Sequence, residues 1–256
     1  MILDKMKLDG KVAVVTGGTS GIGLAIVQAF AEAGAAVIPV SRSREKVARA
    51  AAEVKNIGAR TLEVTADVSK PEEVSSLAAR VLAEFGKIDI LVNNAGTAVK
   101  KPFLEQTWED WKRVMDLNLN AIFFCCKVMG SHMVERRQGN IINVASIGSR
   151  CAITKSLPYC VSKGGLLQLT RTLSSEWAPY NIRVNAIAPA YIVTPMVQGM
   201  LEDKELYQRI ISRIPMGRLG NADEVQGAAV FLASEASSFI TGEVIFIDGG
   251  FSNNTL

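Results

Sequence analysis

The chain is poor in the groups from which metal centres and covalent frameworks are built. It has a single histidine, His132, among 256 residues, so no metal site is expected. His132 reads instead as a surface or helix-packing residue. The four cysteines (Cys125, Cys126, Cys151 and Cys160) show no CxxC or other ligand spacing and read as reduced thiols of a cytoplasmic protein. No run of about 18 uninterrupted apolar residues occurs, which argues against a membrane-spanning helix. The opening MILDKMKLDGK carries Asp4, Lys5 and Lys7 before any apolar run and does not read as a secretory signal. Charge of one sign is also scarce: 28 Lys+Arg against 25 Asp+Glu leave a net +3 without a basic stripe, and nucleic acid is not an expected partner. No repeat, low-complexity tract or Pro/Ser linker divides the sequence. At 48% hydrophobic and 21% charged it has ordinary globular composition, and one unit spanning 1–256 is expected.

What is present is a rhythm of short apolar run, turn and amphipathic stretch. The runs are Lys11–Thr16, Ala36–Val40, Thr61–Thr65, Ile88–Val92, Asn140–Ala145, Arg183–Ile187 and Glu243–Ile247. Helical segments fall between them, at Ile22–Ala33, Arg44–Ile57, Pro71–Phe85, Trp108–Arg136, Tyr159–Pro179 and Ala222–Ser234. Strands that are apolar throughout and alternate with helices predict a doubly wound α/β fold, a seven-stranded parallel sheet with helices on both faces. One residue disagrees: Pro39 lies inside the second run, and proline has no N–H for a central strand's ladder. In such a fold, ligands sit outside the carboxyl ends of the strands, so chemistry is sought just after each run.

The first run leads into Thr16-Gly17-Gly18-Thr19-Ser20-Gly21-Ile22-Gly23 and then a helix. Glycines here let the backbone turn tightly and approach a pyrophosphate at the helix N-terminus. The spacing is G-x-x-x-G-x-G, and no Gly-Lys-Ser/Thr follows to make it a Walker loop. Gly17, Thr19, Ser20, Gly21, Ile22 and Gly23 are therefore candidate cofactor contacts. The second run ends at Ser41-Arg42, where an acidic residue would take the ribose hydroxyls of NAD. A guanidinium there instead grips a 2′-phosphate, which favours NADP, with NAD left open. The third run leads into Asp67-Val68, placed to meet adenine. The fourth leads into Asn93-Asn94-Ala95-Gly96, where Asn93, Ala95 and Gly96 let the chain pass close to a cofactor.

The fifth run ends at Ser146, and thirteen residues later comes Tyr159-Cys160-Val161-Ser162-Lys163. In a helix, Tyr159 and Lys163 are i and i+4 and share a face. A phenol has an ordinary pKa near 10. An ammonium within about 4 Å would draw it toward neutrality, as acid–base catalysis requires. Ser146 is placed to hold a substrate oxygen, and Asn118 to complete a proton path to Lys163. The sixth run leads into Pro189-Ala190-Tyr191-Ile192-Val193-Thr194, where Pro189, Ala190, Ile192 and Thr194 are placed to anchor a nicotinamide carboxamide.

TGGTSGIG at 16–23, NNAG at 93–96, Asn118, Ser146 with YCVSK at 159–163, PAYIVT at 189–194 and TGEVIFIDGG at 241–250 together resemble the short-chain dehydrogenase/reductase family over essentially the whole chain. The resemblance implies a Rossmann-type domain and hydride transfer between a nicotinamide and a secondary alcohol or ketone. It makes Tyr159 the general acid/base, with Lys163 lowering its pKa and binding the nicotinamide ribose. Ser146 then positions the substrate and Asn118 supports the proton relay. It further implies a homotetramer. Two departures stand out. Ala190 replaces the family's usual glycine, which costs something if the position needs a positive φ. Ser20 stands where NADP-preferring members often carry a basic residue, leaving Arg42 as the main phosphate partner.

Specificity is expected from residues 97–103, 147–158 and a lid at 191–217. Lys100, Lys101, Arg150 and Lys155 with no acid in the first two segments suit an anionic substrate such as a sugar acid; solvated loop charges are the blander reading. Met196, Met200, Leu201 and Ile210 suit a closing lid or the apolar face of a helix. KKPF at 100–103 and SSEWAPYNIRVN at 174–185 are similar to gluconate 5-dehydrogenase-like and tropinone reductase-like members, while 3-oxoacyl-carrier-protein reductases share much of the pattern. Cys151 and Cys160 form a redox pair only if their Cα atoms lie within about 7 Å; inert thiols are the simpler reading. A cofactor-binding regulator without catalysis is the remaining alternative, and it gives no reason to keep all four reactive positions.

Overall fold

Six of the seven apolar runs form strands in the computed structural model, which describes residues 1–195, 197 and 203–253. They are β1 (Val12–Thr16), β2 (Ala36–Val40), β3 (Ile90–Asn93), β4 (Gly139–Val144), β5 (Ile182–Pro189) and β6 (Val244–Ile247). All pairings are parallel, in the order β2-β1-β3-β4-β5-β6. The chain leaves β1 in one direction to β2 and in the other to β3, so the switch point, where such folds bind ligands, lies between β1 and β3.

The expected seventh strand, Thr61–Thr65, is not formed among the described residues, and the proline that disagreed with the pattern explains why. The segment runs along the outer edge of β2. It is tied there by Val37 N–H to Arg60 O at 3.0 Å and by Ala66 N–H to Ser41 O at 3.2 Å, with a bridge between Ser41 and Thr65. Residues 37, 39 and 41 point their backbone groups to the same edge. Residue 39 is proline, so the middle donor is missing and the ladder reduces to its two ends. The same placement makes Pro39 tolerable, because β2 is the outermost strand of the sheet.

Successive strand residues face opposite layers. Val12, Val14, Ile38, Leu91 and Ile141 pack with α4 (Pro71–Phe85), α6 (Ala121–Arg136) and α7 (Leu157–Trp177). Ala13, Val15, Val37, Ile90, Val92 and Ile142 pack on the other face with α2 (Gly21–Glu32) and α9 (Gln226–Ala233). Of the remaining helices, α1 (Ile2–Lys5) precedes the sheet. In α3 (Arg44–Asn56) the Ser43 hydroxyl accepts from Lys46 N–H, and α5 (Trp108–Met115) opens with a Thr107/Asp110 capping box. A wide π turn, Asp116–Asn120, closed by Ala121 N–H to Asp116 O, joins α5 to α6. In the expected lid, α8 (Lys204–Ile211) is capped by the Asp203 carboxylate and meets, for Ile210, the alternative of an apolar helix face. Its Ile210 is buried with Ile147, Ile214, Leu219 and Phe251, while Met196, Met200 and Leu201 lie outside the described residues. Among the described residues no helix is long and apolar enough to cross a membrane.

At the amino ends of the strands, Asp89 ties the sheet together. Its carboxylate accepts from Val12 N–H at 2.9 Å and from Arg136 Nη2 at 2.9 Å, and it pairs with Lys87 at 3.0 Å. Burial pushes its pKa up, but the bonds from Lys87, Arg136 and Val12 outweigh this and hold it below the ordinary carboxylate value.

Candidate active site

At the carboxyl ends of β1 and β3 the backbone is drawn into a tight knot. Gly17 adopts φ +63° and Gly21 φ +53°, conformations that favour glycine. Gly23 is required for space: a Cβ there would lie 2.2 Å from Gly17 O and 2.4 Å from Asn94 Nδ2. The Thr16 hydroxyl accepts from Asn94 and Ala95 N–H, and Asn94 Nδ2 donates to Thr16 O and Gly17 O, each bond at 3.0–3.1 Å. Thr16 and Asn94 were not among the expected site residues. Asn94 was findable as the middle of the NNAG run, whereas Thr16 reads as an ordinary strand terminus. Thr19, Ser20 and Ile22 complete the turn. No side chain caps α2, so the N–H groups of its first turn have no side-chain acceptor at the N-cap.

Arg42 extends from the end of β2, 78% exposed, with its guanidinium 3.8 Å from the Asp67 carboxylate. Ser41 lies beside it, its hydroxyl 3.5 Å from Ser43 O. Burial raises the Asp67 pKa, but two hydrogen bonds from Ser69 and the charge of Arg42 outweigh it and leave the carboxylate lowered. Val68 turns its side chain into the core, so any contact with a nucleotide falls to its backbone. Asn93 is likewise turned inward, 1% exposed, and its amide meets Asn143 and Cys126. A dinucleotide phosphate fits this donor set: an uncapped glycine-lined helix start for a pyrophosphate, and an exposed guanidinium for a further phosphate. Thr194 closes over the same turn, since a Cβ on Gly21 would lie 3.1 Å from Thr194 Cγ2.

The reactive residues converge at the end of β4. Ser146 caps the short turn Ile147–Ser149, its Oγ accepting from Gly148 N–H at 3.1 Å. Tyr159 stands in the first turn of α7 against Gly148. Burial raises its phenol above the ordinary value, and a hydrogen bond with Ser146 acts in the opposite sense. Lys163, 4% exposed, donates to Val144 O at 2.6 Å and lies 5.8 Å from the Tyr159 ring centroid. Burial pushes its ammonium down to about 8. The strand carbonyl thus holds the Lys163 ammonium beside the Tyr159 ring. The π turn places Asn118 beside Gly96: its Oδ1 accepts from Thr97 N–H at 2.8 Å, and its Nδ2 donates to Thr97 O at 2.9 Å and Ser162 Oγ at 3.1 Å. Asn118 thus reaches Lys163 through no direct bond. A Cβ on Gly96 would sit 3.3 Å from Asn118 Oδ1 and 3.8 Å from Lys163 Nζ, so the three residues share one small space.

Beyond them, Pro189 ends β5. Ala190 has no positive φ among the described residues and donates its N–H to Ile247 O at 3.0 Å, so the missing glycine introduces no strain. Ile192 is buried and bridges to Gly220. Of the four rim cations, Lys101 pairs with Asp110 at 2.7 Å, and Arg150 stacks on Phe246 near Asp248. Lys155 takes a left-handed backbone, φ +66°, and its carbonyl accepts from Lys101 N–H, joining the two loops across the rim. The four thiols are free. Burial pushes Cys126 up to about 12 and Cys125 higher still, which makes both unreactive.

The family described as enoyl-(acyl carrier protein) reductase matches residues 17–252. A 2-dehydro-3-deoxy-D-gluconate 5-dehydrogenase of Pseudoalteromonas atlantica is 43% identical over 251 residues, 98% of this chain and 99% of that protein. The crystal structure of a Burkholderia cenocepacia gluconate 5-dehydrogenase in complex with NADP and tartrate superposes with a TM-score of 0.96 at 37% identity, covering 99% of each chain. A short-chain type dehydrogenase/reductase from Mycobacterium marinum gives 0.94 at 35% identity, over 98% of this chain and 99% of that one. With the glycine knot at the switch point and Ser146, Tyr159 and Lys163 gathered at the end of β4, these similarities identify the Rossmann-type chain as an oxidoreductase that belongs to the short-chain dehydrogenase/reductase family.

Proposed function

We propose that the chain is an NADP-dependent oxidoreductase that interconverts a secondary alcohol and a ketone on a sugar acid, with Tyr159 as general acid/base. The convergence of Ser146, Tyr159 and Lys163 across the carboxyl ends of the sheet from the glycine knot carries the reading. Gly17, Thr19, Ser20, Gly21, Ile22 and Gly23 hold the dinucleotide's phosphates, and Ser41 with Arg42 holds the 2′-phosphate. Asp67 and the backbone of Val68 meet adenine. Ala95, Gly96, Pro189, Ala190, Ile192 and Thr194 flank the nicotinamide, and Asn93 acts from within the core. When bound, the nicotinamide supplies or accepts the hydride.

The side chains manage the proton. Burial keeps the Tyr159 phenol protonated at neutral pH, ready to donate to a carbonyl oxygen that Ser146 holds beside it. The Lys163 ammonium stabilises the phenolate left behind, and Asn118 leads toward solvent for its reprotonation. Oxidation runs the same path backward. Lys100 and Lys155, which have no acidic partner among the described residues, support an anionic substrate. So do the names of the gluconate-type relatives and the tartrate held by one of them. The stretch 191–217 serves as lid to a single 1–256 unit. A cytoplasmic homotetramer belongs to the same reading, supported by the half-exposed apolar edge strand β6 and by exposed Phe239.

Fluorescence titration with NADPH and NADH tests the cofactor. NADPH should bind at least about tenfold tighter, a difference of about 1.4 kcal/mol, and Arg42→Ala should remove most of that preference. Equal binding of the two nucleotides by the wild type would place Arg42 in solvent and overturn the assignment. A panel of sugar acids, plain ketones and 3-oxoacyl thioesters tests the substrate. Tyr159→Phe should lower kcat by about a thousandfold on the best of them, and retained turnover would overturn the mechanism.

A further inference from the structure

A line of polar side chains crosses the otherwise apolar core between the glycine knot and the helix that carries Tyr159. Asn93 at the end of β3 lies in register with Asn143 in β4. Asn93 Nδ2 donates to Asn143 Oδ1 at 2.9 Å, Asn143 Nδ2 donates to Thr170 Oγ1 at 2.9 Å, and the Thr170 hydroxyl donates to Leu166 O at 2.8 Å. Asn143 and Thr170 are wholly buried. Their side-chain bonds go to Asn93, to each other and to Leu166 O, none of them to Ser146, Tyr159 or Lys163. Buried amides are unfavourable unless paired, and apolar side chains of similar shape would fill the same volume at no loss of stability. The line therefore calls for a reason other than holding the core together.

Its geometry supplies one. Thr170 lies seven residues beyond Lys163 on α7, two turns along the same face. Lys163 is bonded to Val144 O, the residue next to Asn143. Helix α7 is thus fixed to β4 at two points, and each bond has a direction that apolar packing lacks. At the other end, Asn93 is followed by Asn94, which is bonded to the glycine knot at Thr16 and Gly17. We propose that Asn143 and Thr170 are positioning residues for proton transfer: they fix the height of α7 on β4 and so hold Lys163 and Tyr159 in place relative to Ser146 and the glycine knot. The proposal rests on Tyr159 and Lys163 acting as described above.

Thr170→Val keeps the shape and removes the hydroxyl; Thr170→Ser keeps the hydroxyl and removes a methyl. The Asn143→Leu/Thr170→Val double variant replaces the pair by apolar groups but leaves Asn93 Nδ2 bonded to Cys126 Sγ alone. Thr170→Val by itself, in which Asn143 keeps its bond from Asn93, guards against a double variant that folds poorly. For folded Thr170→Val and for the double variant, kcat should fall by about tenfold or more, since small displacements of reacting groups weigh heavily on rate. The alkaline limb of the kcat profile should move by about half a pH unit or more while the Kd for NADPH stays within about twofold. Thr170→Ser should match the wild type in both. Wild-type kcat and pH profile in the double variant would overturn the proposal and leave the line a packing feature. Tyr159→Phe run alongside separates the two levels. If it is inactive while the double variant is unshifted, only the positioning role falls; if it keeps full turnover, both readings fall.

Discussion

Lys163, to which the proposed function gives a part in proton transfer, opposes stability. An ammonium buried at the end of β4 is held by one strand carbonyl, and its pKa falls to about 8 from 10.5. The unfolded chain therefore binds more protons than the folded one between about pH 8 and 10.5. In that window the wild type gains stability as pH rises, and below it the charge is a full burden of about 3 kcal/mol. Lys163→Met leaves Val144 O unpaired at about 1 kcal/mol and removes the burden, so at pH 7 the variant should be the more stable by about 2 kcal/mol. Urea unfolding at pH 7 and pH 10 should show the difference shrinking at the higher pH, with catalysis lost throughout; a variant less stable at pH 7 would contradict the burial argument. Much of the site at this scale was legible in the sequence, because i, i+4 spacing and strand–glycine–helix order are fixed by covalent geometry. The inward turn of Asn93 and the capture of the Lys163 ammonium by Val144 were not, since both depend on which strand lies alongside.

Secondary structure was legible wherever a segment's own pattern decided it. Six strands and the main helices follow from apolar runs and caps, and the long Trp108–Arg136 stretch is continuous apart from its π turn. The third run, Thr61–Thr65, has the composition of a strand, yet its neighbour lacks one donor, and no property of residues 61–65 reveals that. Of helix α8 only Ile210 was legible, as part of an apolar helix face, because so short a helix leaves no repeating pattern to give its bounds. Pro39→Val restores the outward N–H of β2 opposite this segment. Hydrogen exchange followed by mass spectrometry should show a new protected amide at position 39 and slower exchange across 61–65. An unprotected amide there would mean that something besides the proline keeps the segment apart.

Across the whole molecule, the candidate site lies at the carboxyl ends of the strands and the Asp89 cluster at the amino ends. Asp89 has a lowered pKa, so its contribution is present above the unfolded value of about 3.9 and is lost as pH falls through the lower folded value. Asp89→Asn should cost about 2 kcal/mol at pH 7, measured by denaturant unfolding, with the gap to wild type narrowing below about pH 4. Turnover per folded molecule should be unchanged, and a constant gap across the acid range would contradict the charge argument. Every group in that cluster comes from residues 12 to 136. On a ribosome, the nucleotide-binding half thus acquires its whole fastening before Tyr159 has been synthesised. The segment that carries Ser146, Tyr159 and Lys163 follows in the chain, so α7 is laid down after β1 and β3 have been tied together at their amino ends.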